Sequence, residues 1–456
     1  MRRSLLTCFL ILVLLSAGCS RLPPAEKPQV ITHPDGPLYV GDQVSFEVLA
    51  GNAAVGSDST VEVKLDGKTL GDANYGSYGL GGREEAALWW VWDTRDLKAG
   101  SYTLTFVSHP DNSTWTESYS LYPASRVPPP EPGAHWASLT TSCCILHYIT
   151  GTDAERDIAT LGREADAESA AVAIQMGAHL DKPLDLVFMP RLIGQGGFTW
   201  GAVYATYSDN NIIGNDMPIL FHHEFVHYYD AAVGGGYRPV MLEEGLAVYL
   251  SGGHFKPEPL APRAAALLDL GWYIPLTTVA DDFYNQQHDI AYLEGATVVK
   301  YLVDTYGWQA FTDFFRSMPQ PDGRKDSEII DYALRQHFDI SFADLETAYL
   351  ASLRTQKPTD AERTDLQLTV EFFDAVRRYQ QTLDPSAYYL TAWLPDATVM
   401  VRRGIVADLL RGPEGWKNRL VEFELKRTQQ ELFSGDYRDA AGSLKWSNLL
   451  LDLVAP

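Results

Sequence analysis

The residues whose types and spacing carry the most chemistry lie near the middle of the chain. They are His222-His223-Glu224-Phe225-Val226-His227, with Glu243-Glu244-Gly245-Leu246-Ala247 beginning sixteen residues after His227. On a helix, side chains four apart stand on one side, because four residues is close to one turn. His223 and His227 therefore face the same way. Glu224 lies about 100° round the helix, near whatever the imidazoles hold but off the ligand axis. That arrangement suits two zinc ligands and a general base. With 11 His in 456 residues, chance would supply such a spacing in on the order of one chain in fifty, so the companion Glu-Gly and a helical setting must carry the argument. A zinc ion that activates water takes three protein ligands and keeps a fourth position open. A second helix crossing the first can supply the third, and Glu243 and Glu244 are both placed to do so.

The elements that must position these groups are legible on either side. Asn215-Asp216-Met217-Pro218 is a helix opening, with a cap candidate and proline in the first turn. The helix it opens carries the histidines and stops at Gly234-Gly235-Gly236. A second helix opens at Pro239, carries Glu243 and Glu244, and ends at Gly252-Gly253. Upstream, Cys144 to Ile149, Leu184 to Met189 and Phe198 to Tyr207 read as strands, with a helix from Asp153 to Met176 between the first two. Downstream, helices are expected at 290–306, 309–318, 327–337 and 342–353. Beyond 356 the chain looks helical to its end, best patterned at 374–383, 417–433 and 437–451.

Taken together, His-Glu-x-x-His and the following Glu-Gly-Leu-Ala resemble the gluzincin metallopeptidases of thermolysin-like fold, over roughly residues 140–355. The resemblance implies one zinc per chain, held by His223, His227 and the glutamate directly before the glycine, Glu244, with Glu243 left beside the site. It implies hydrolysis by metal-activated water with Glu224 as general base. Tyr292-Leu293-Glu294-Gly295-Ala296 resembles the Y-x-x-G-A of gluzincin aminopeptidases, which makes Tyr292 the candidate stabiliser of the oxyanion. Phe198 to Ala205 stands where such enzymes have an edge strand, to which an extended peptide could add. The G-x-M-E-N of the aminopeptidases is missing, so an endopeptidase acting on peptide or protein substrates is expected. Four further residues are weaker candidates: His222 as a surface or packing residue, Asp230 as an orienter of a ligand imidazole, and His254 and His288 as cleft-lining groups.

The remainder sets the context. Residues 1–19 read as an export signal: Arg2 and Arg3, the apolar run Leu5 to Leu15, then small residues. Leu15-Ser16-Ala17-Gly18-Cys19 resembles the bacterial lipobox, with Ser16 where leucine is commonest. That resemblance implies lipid attachment at Cys19 and an extracytoplasmic, membrane-anchored protein. A proline-containing tether at 20–33 leads into short alternating strands over 34–125, where Asp66-Gly67 signals a hairpin. The passage Trp92-Asp93-Thr94 … Gly100-Ser101-Tyr102-Thr103-Leu104 resembles bacterial immunoglobulin-like modules. Trp90 and Trp92 are expected on one strand face, filling the core of that module, the other reading of Trp89, Trp90 and Trp92 being a sugar-stacking platform. A Pro-rich stretch at 126–134 marks the boundary to a central domain at 135–355, followed by the helical region 356–456. The expected fold is thus multidomain: an all-β immunoglobulin-like sandwich, a central α+β zincin domain and a mostly α-helical extension. A formal charge of −23 with no basic stripe argues against nucleic-acid binding. Cys143 and Cys144 read as buried strand residues without a disulfide, since neighbours in a strand point to opposite faces. The alternative to a peptidase is a non-catalytic surface-binding lipoprotein that uses a zincin scaffold.

Overall fold

The computed structural model describes residues 28–454, apart from 52–55, 57, 192–195, 214, 215, 394 and 414. The expected signal segment and Cys19 lie outside the described residues. The chain is multidomain, β-rich towards its N-terminus and helical towards its C-terminus. Eight strands come first: β1 (Gln29–His33), β2 (Leu38–Tyr39), β3 (Gln43–Leu49), β4 (Thr60–Leu65), β5 (Lys68–Tyr78), β6 (Arg83–Asp93), β7 (Gly100–His109) and β8 (Ser113–Tyr122). Their order is β1-β3-β6-β5-β4-β7-β8-β2. β5 pairs with β4 through 68–74 and with β6 through 75–78, so one long strand serves both halves of the sheet. Alternate residues Val44, Phe46, Val48, Val61 and Val63 share a core with Leu104 and Phe106. The Asp66-Gly67 turn takes left-handed φ at both positions, 51° and 79°, the backbone that a tight hairpin needs and that Asp-Gly tolerates.

The tryptophans divide. Trp92 fills the core as expected, stacked on Phe46. Trp90 does not. Val44 pairs with Trp92 but Phe46 pairs with Leu88, so β6 carries two extra residues there. In that bulge Trp90 has φ 47°, a backbone that a bulky side chain rarely adopts. The side chain is turned out of the β-sheet core, and its indole N–H donates to Asp408 Oδ2 at 2.9 Å. Trp89 packs on Trp393 with ring centroids 4.0 Å apart. The three rings therefore form no common stacking platform.

A second sheet follows, with β9 (Trp136–Thr140), β10 (Cys144–Ile149), β11 (Leu184–Met189), β12 (Gly197–Thr199) and β13 (Val203–Thr206) in the order β12-β13-β11-β10-β9. β10, β11 and β13 run parallel, while β9 and β12 are antiparallel borders. The single strand expected over Phe198 to Tyr207 is a hairpin, because Gly201 takes φ 68° and reverses the chain. Cys143 and Cys144 are joined by a disulfide. The opposite-face rule does not apply to them: Cys143 lies in the bend before β10, where its N–H donates to Asp166.

Among the described residues the α-helices are α1 (Asp153–Met176), α2 (Met217–Val233), α3 (Val240–Ser251), α4 (Leu260–Leu270), α5 (Leu276–Asp281), α6 (His288–Tyr306) and α7 (Trp308–Arg316). They continue with α8 (Asp326–Phe338), α9 (Phe342–Leu353), α10 (Asp360–Leu383), α11 (Ala397–Arg403), α12 (Ala407–Leu410), α13 (Trp416–Ser434) and α14 (Tyr437–Val454). None of them is long and apolar enough to cross a membrane. Asp216 caps α2 by accepting from the Ile219 N–H, with Pro218 in the first turn. α3 and α6 cross at the glycines of their two motifs. A Cβ on Gly245 would lie 2.5 Å from the Gly295 carbonyl, and one on Gly295 would lie 2.6 Å from the Met241 carbonyl oxygen. Only backbone without side chains permits this approach, and it brings Glu244 and Tyr292 to one place.

The segment 384–411 is held by both neighbours. Arg411 bonds Asp42 in the β-rich region and Glu131 in the Pro-rich stretch. Trp393 stacks on His33, and the Trp136 indole N–H donates to the Ile405 carbonyl. The helical C-terminal region is thus packed against the rest. Its core, with Phe372, Val376, Val421, Leu425 and Leu444, joins α10 to α13 and α14.

Candidate metal centre

α2 and α3 bring three ligand atoms face to face. His223 Nε2 lies 3.1 Å from His227 Nε2 and 3.2 Å from Glu244 Oε2, and His227 Nε2 lies 3.3 Å from the same oxygen. Ligands at about 2.0–2.1 Å in a tetrahedron stand about 3.3 Å apart, so this triangle has the size of one face of a zinc site. His223, His227 and Glu244 form a group able to hold a metal ion. Glu244 Oε2 is buried and accepts no conventional hydrogen bond, as a ligand oxygen aimed at a cation should be. Its other oxygen, Oε1, accepts from the Tyr284 hydroxyl at 2.9 Å, which fixes the carboxylate's rotation. Glu243 is half-exposed, and its nearest approach is 3.9 Å to His227 Nδ1, outside the triangle.

The charges agree with the geometry. Burial works against an ionised Glu244, but His227 and His223 outweigh it and hold the carboxyl well below its ordinary value. Burial likewise opposes a charged His227, yet Glu244 pushes it up to about 10. The carboxylate thus gathers positive charge at this point in the protein. Glu224, on the same helix, is raised by burial and drawn back by the two imidazoles. Its Oε2 accepts from the Thr199 hydroxyl at 2.8 Å. A Cβ on Gly197 would meet Leu220 at 2.7 Å and Glu224 Oε1 at 3.0 Å, so glycine lets β12 run close beside the carboxylate.

Tyr292, from α6, lies near the triad. Its ring centroid is 6.3 Å from that of His223, and it stacks on His254 at 4.0 Å. Burial, then Glu244, hold its hydroxyl well above the ordinary phenol value, so it stays a proton donor. His254 and His288 line the cleft together with Gly197, Glu224, Leu220 and Phe255. Burial keeps both imidazoles neutral, His254 being lowered to about 3. Of the two places expected for His222, surface or packing, it takes the second, buried and bonded to Glu168 and Gln175 of α1. Asp230 orients no ligand. Its two oxygens accept from Arg238 at 2.7 and 3.2 Å, which ties the end of α2 to the glycine turn.

Three residues were missed by sequence reasoning. Tyr284 sits in a short turn before α6 with no motif around it. Phe373 reaches the cleft from α10, in the C-terminal region, and Arg377 follows one turn later with its guanidinium 4.2 Å over the Tyr389 ring. The i, i+4 spacing of Phe373 and Arg377 shows a shared helix face, but nothing local says which cavity that face meets. No family model matches the chain, and no curated protein matches it.

Proposed function

We propose that the protein is a zinc-dependent peptidase of gluzincin type, acting on internal peptide bonds from an extracytoplasmic, lipid-anchored position. The observation that carries the reading is the triangle of His223, His227 and Glu244 with the Glu224 carboxylate on the same helix. A thermolysin-like central domain accounts for a mixed sheet whose antiparallel border strand, β12, lies beside the metal helix. An immunoglobulin-like sandwich accounts for the β-rich region.

A zinc ion held by the triad would supply Lewis-acid polarisation of a carbonyl and a more acidic water. Every other task falls to the chain. β12 is the border of its sheet, and its outer edge can take an extended peptide as one more strand. Glu224, steadied by Thr199, accepts the proton as water oxygen attacks the carbonyl carbon, then returns it to the nitrogen that leaves. The Tyr292 hydroxyl donates to the oxygen on which charge develops. His254, stacked on Tyr292, holds the plane of its ring.

Elemental analysis and a peptide-library digest test the reading together. Wild type is expected to carry about one zinc per chain and to cut within peptides. Glu224→Gln should keep the zinc and lose about 10²–10⁴-fold in rate. Zinc-loaded wild type that cuts nothing in a broad library would overturn the proposal.

A further inference from the structure

The Tyr284 hydroxyl holds the rotation of Glu244, and Tyr284 needs holding in its turn. It belongs to a single short turn, Phe283–Asn285, between α5 and α6. Asp282 before it and Asn285 at its end are exposed. The Gln286 N–H closes the turn on the Phe283 carbonyl at 3.1 Å. So short a turn leaves carbonyls that must find partners elsewhere. The Tyr284 carbonyl finds the Tyr389 hydroxyl, which comes from a segment 105 residues further along the chain.

Packing fixes the Tyr389 ring. The Arg377 guanidinium lies 4.2 Å over it, and the His288 ring meets it edge-on at 5.5 Å. Its backbone forms a turn, in which the Thr391 N–H donates to the Tyr388 carbonyl at 2.8 Å. The next residue, Leu390, is gripped by the β-rich region. There the turn joining β5 to β6 donates the Gly81 N–H to the Leu390 carbonyl at 2.7 Å. A Cβ on Gly79 would lie 2.9 Å from that carbonyl oxygen, and one on Gly81 would lie 3.1 Å from it. Glycine at both positions lets the turn seat this closely. Three hydrogen bonds therefore run in series, Gly81 to Leu390, Tyr389 to Tyr284, and Tyr284 to Glu244. A group that bonds a metal ligand aims it and sets its affinity, and here the aim passes through two further segments.

We propose that Tyr389 is a positioning residue for Glu244, acting through Tyr284, and that the β5–β6 turn in its turn sets Tyr389. The β-rich region is thereby part of the support of the metal centre, although it supplies no residue to the triad. This role rests on the triad being a zinc site. Zinc affinity of the whole chain, read by competition with a chromophoric chelator, tests it. Tyr389→Phe keeps the ring and loses the hydroxyl. Its affinity should fall about 3–10-fold, one step weaker than the loss of about 10–100-fold for a group bonded to the ligand itself. Gly81→Val adds bulk against Leu390 without backbone strain and should weaken zinc in the same direction, a second reading should Tyr389→Phe misfold. In a Tyr284→Phe background each change should cost less than about twofold, because the link to Glu244 is already cut. Loss through general destabilisation would instead be as large there as in wild type. Wild-type affinity in either folded variant would overturn the proposal, as would an undiminished loss in the Tyr284→Phe background. Wild type that takes up no zinc would overturn the metal reading with it, whereas zinc-binding wild type beside unchanged variants would overturn this proposal alone.

Discussion

Two buried clusters of ionisable side chains look alike in composition and differ in how they close. At the seam between the β-rich region and the C-terminal segment, Arg411 sends its guanidinium N–H groups to Asp42, Glu131 and the Pro37 carbonyl at hydrogen-bond distance. Nothing in that set calls for an outside partner. At the metal centre two imidazole nitrogens and a carboxylate oxygen face one another within 3.3 Å, and the oxygen makes no ordinary hydrogen bond. A buried cluster that neutralises itself holds parts together, whereas one whose lone pairs converge is built for a cation.

The sharpest way to break the contrast is to remove one member from each side. Glu244→Ala should lose the metal outright, seen as less than a tenth of a zinc per chain after dialysis, and hydrolysis with it. Because ligand binding stabilises the folded form, chelating wild type should lower its Tm, and the same treatment should leave Glu244→Ala unmoved. Arg411→Ala should do the opposite. It leaves Asp42 and Glu131 buried without their partner, at a cost of about 3–5 kcal/mol in urea unfolding, while zinc content per folded molecule stays at wild type.

The third prediction sharpens the seam itself. Burial pushes the Asp408 carboxyl up to about 6 from 3.8, against the pull of His33, the Trp90 N–H and Arg411. A carboxyl raised in the folded protein binds its proton more tightly there than in the unfolded chain. Its stabilising contribution is therefore complete below about pH 4 and lost as pH rises through 6. Asp408→Asn can still accept from Trp90 and cannot ionise. Its stability relative to wild type should rise between pH 4 and 7 by at most about 3 kcal/mol, measured by urea unfolding across that range. The smallest effect belongs to Tyr284→Phe, which removes the hydrogen bond on Glu244 Oε1. Zinc affinity should fall about 10–100-fold, read by competition with a chromophoric chelator, with the fold intact.

The contrast also explains how far the sequence could be read. The metal triad was legible because its information is local: i, i+4 on one helix, and a glutamate fixed by the glycine beside it. That glycine has a physical role, since Gly245 and Gly295 are where α3 and α6 touch. Helix bounds were legible where caps and glycines sit, as at Asp216, Gly234 and Gly252. Trp90 was not, because alternation assumes an unbroken strand, and the two extra residues in β6 invert its direction. The hairpin at Gly201 failed for a similar reason: a short turn inside an alternating run preserves the alternation. Phe373, Arg377 and Tyr284 carry no local signature at all. The first two depend on α10 lying across the cleft and Tyr284 on a turn 40 residues from Glu244, and both placements are settled by packing between segments distant in sequence.

That crossing changes what counts as the smallest working unit. α10 enters with Asp365 bonded to Lys256 and Arg263, passes the cleft at Phe373, and leaves with Asp384 bonded to Arg191. A chain cut at 355 would keep His223, His227 and Glu244, the group able to hold a metal ion. It would also bare one wall of the cleft to water and take Asp365 from Lys256 and Arg263. During synthesis, then, the residues that could hold a metal are all present before the cleft is enclosed, and its enclosure waits for the last hundred residues.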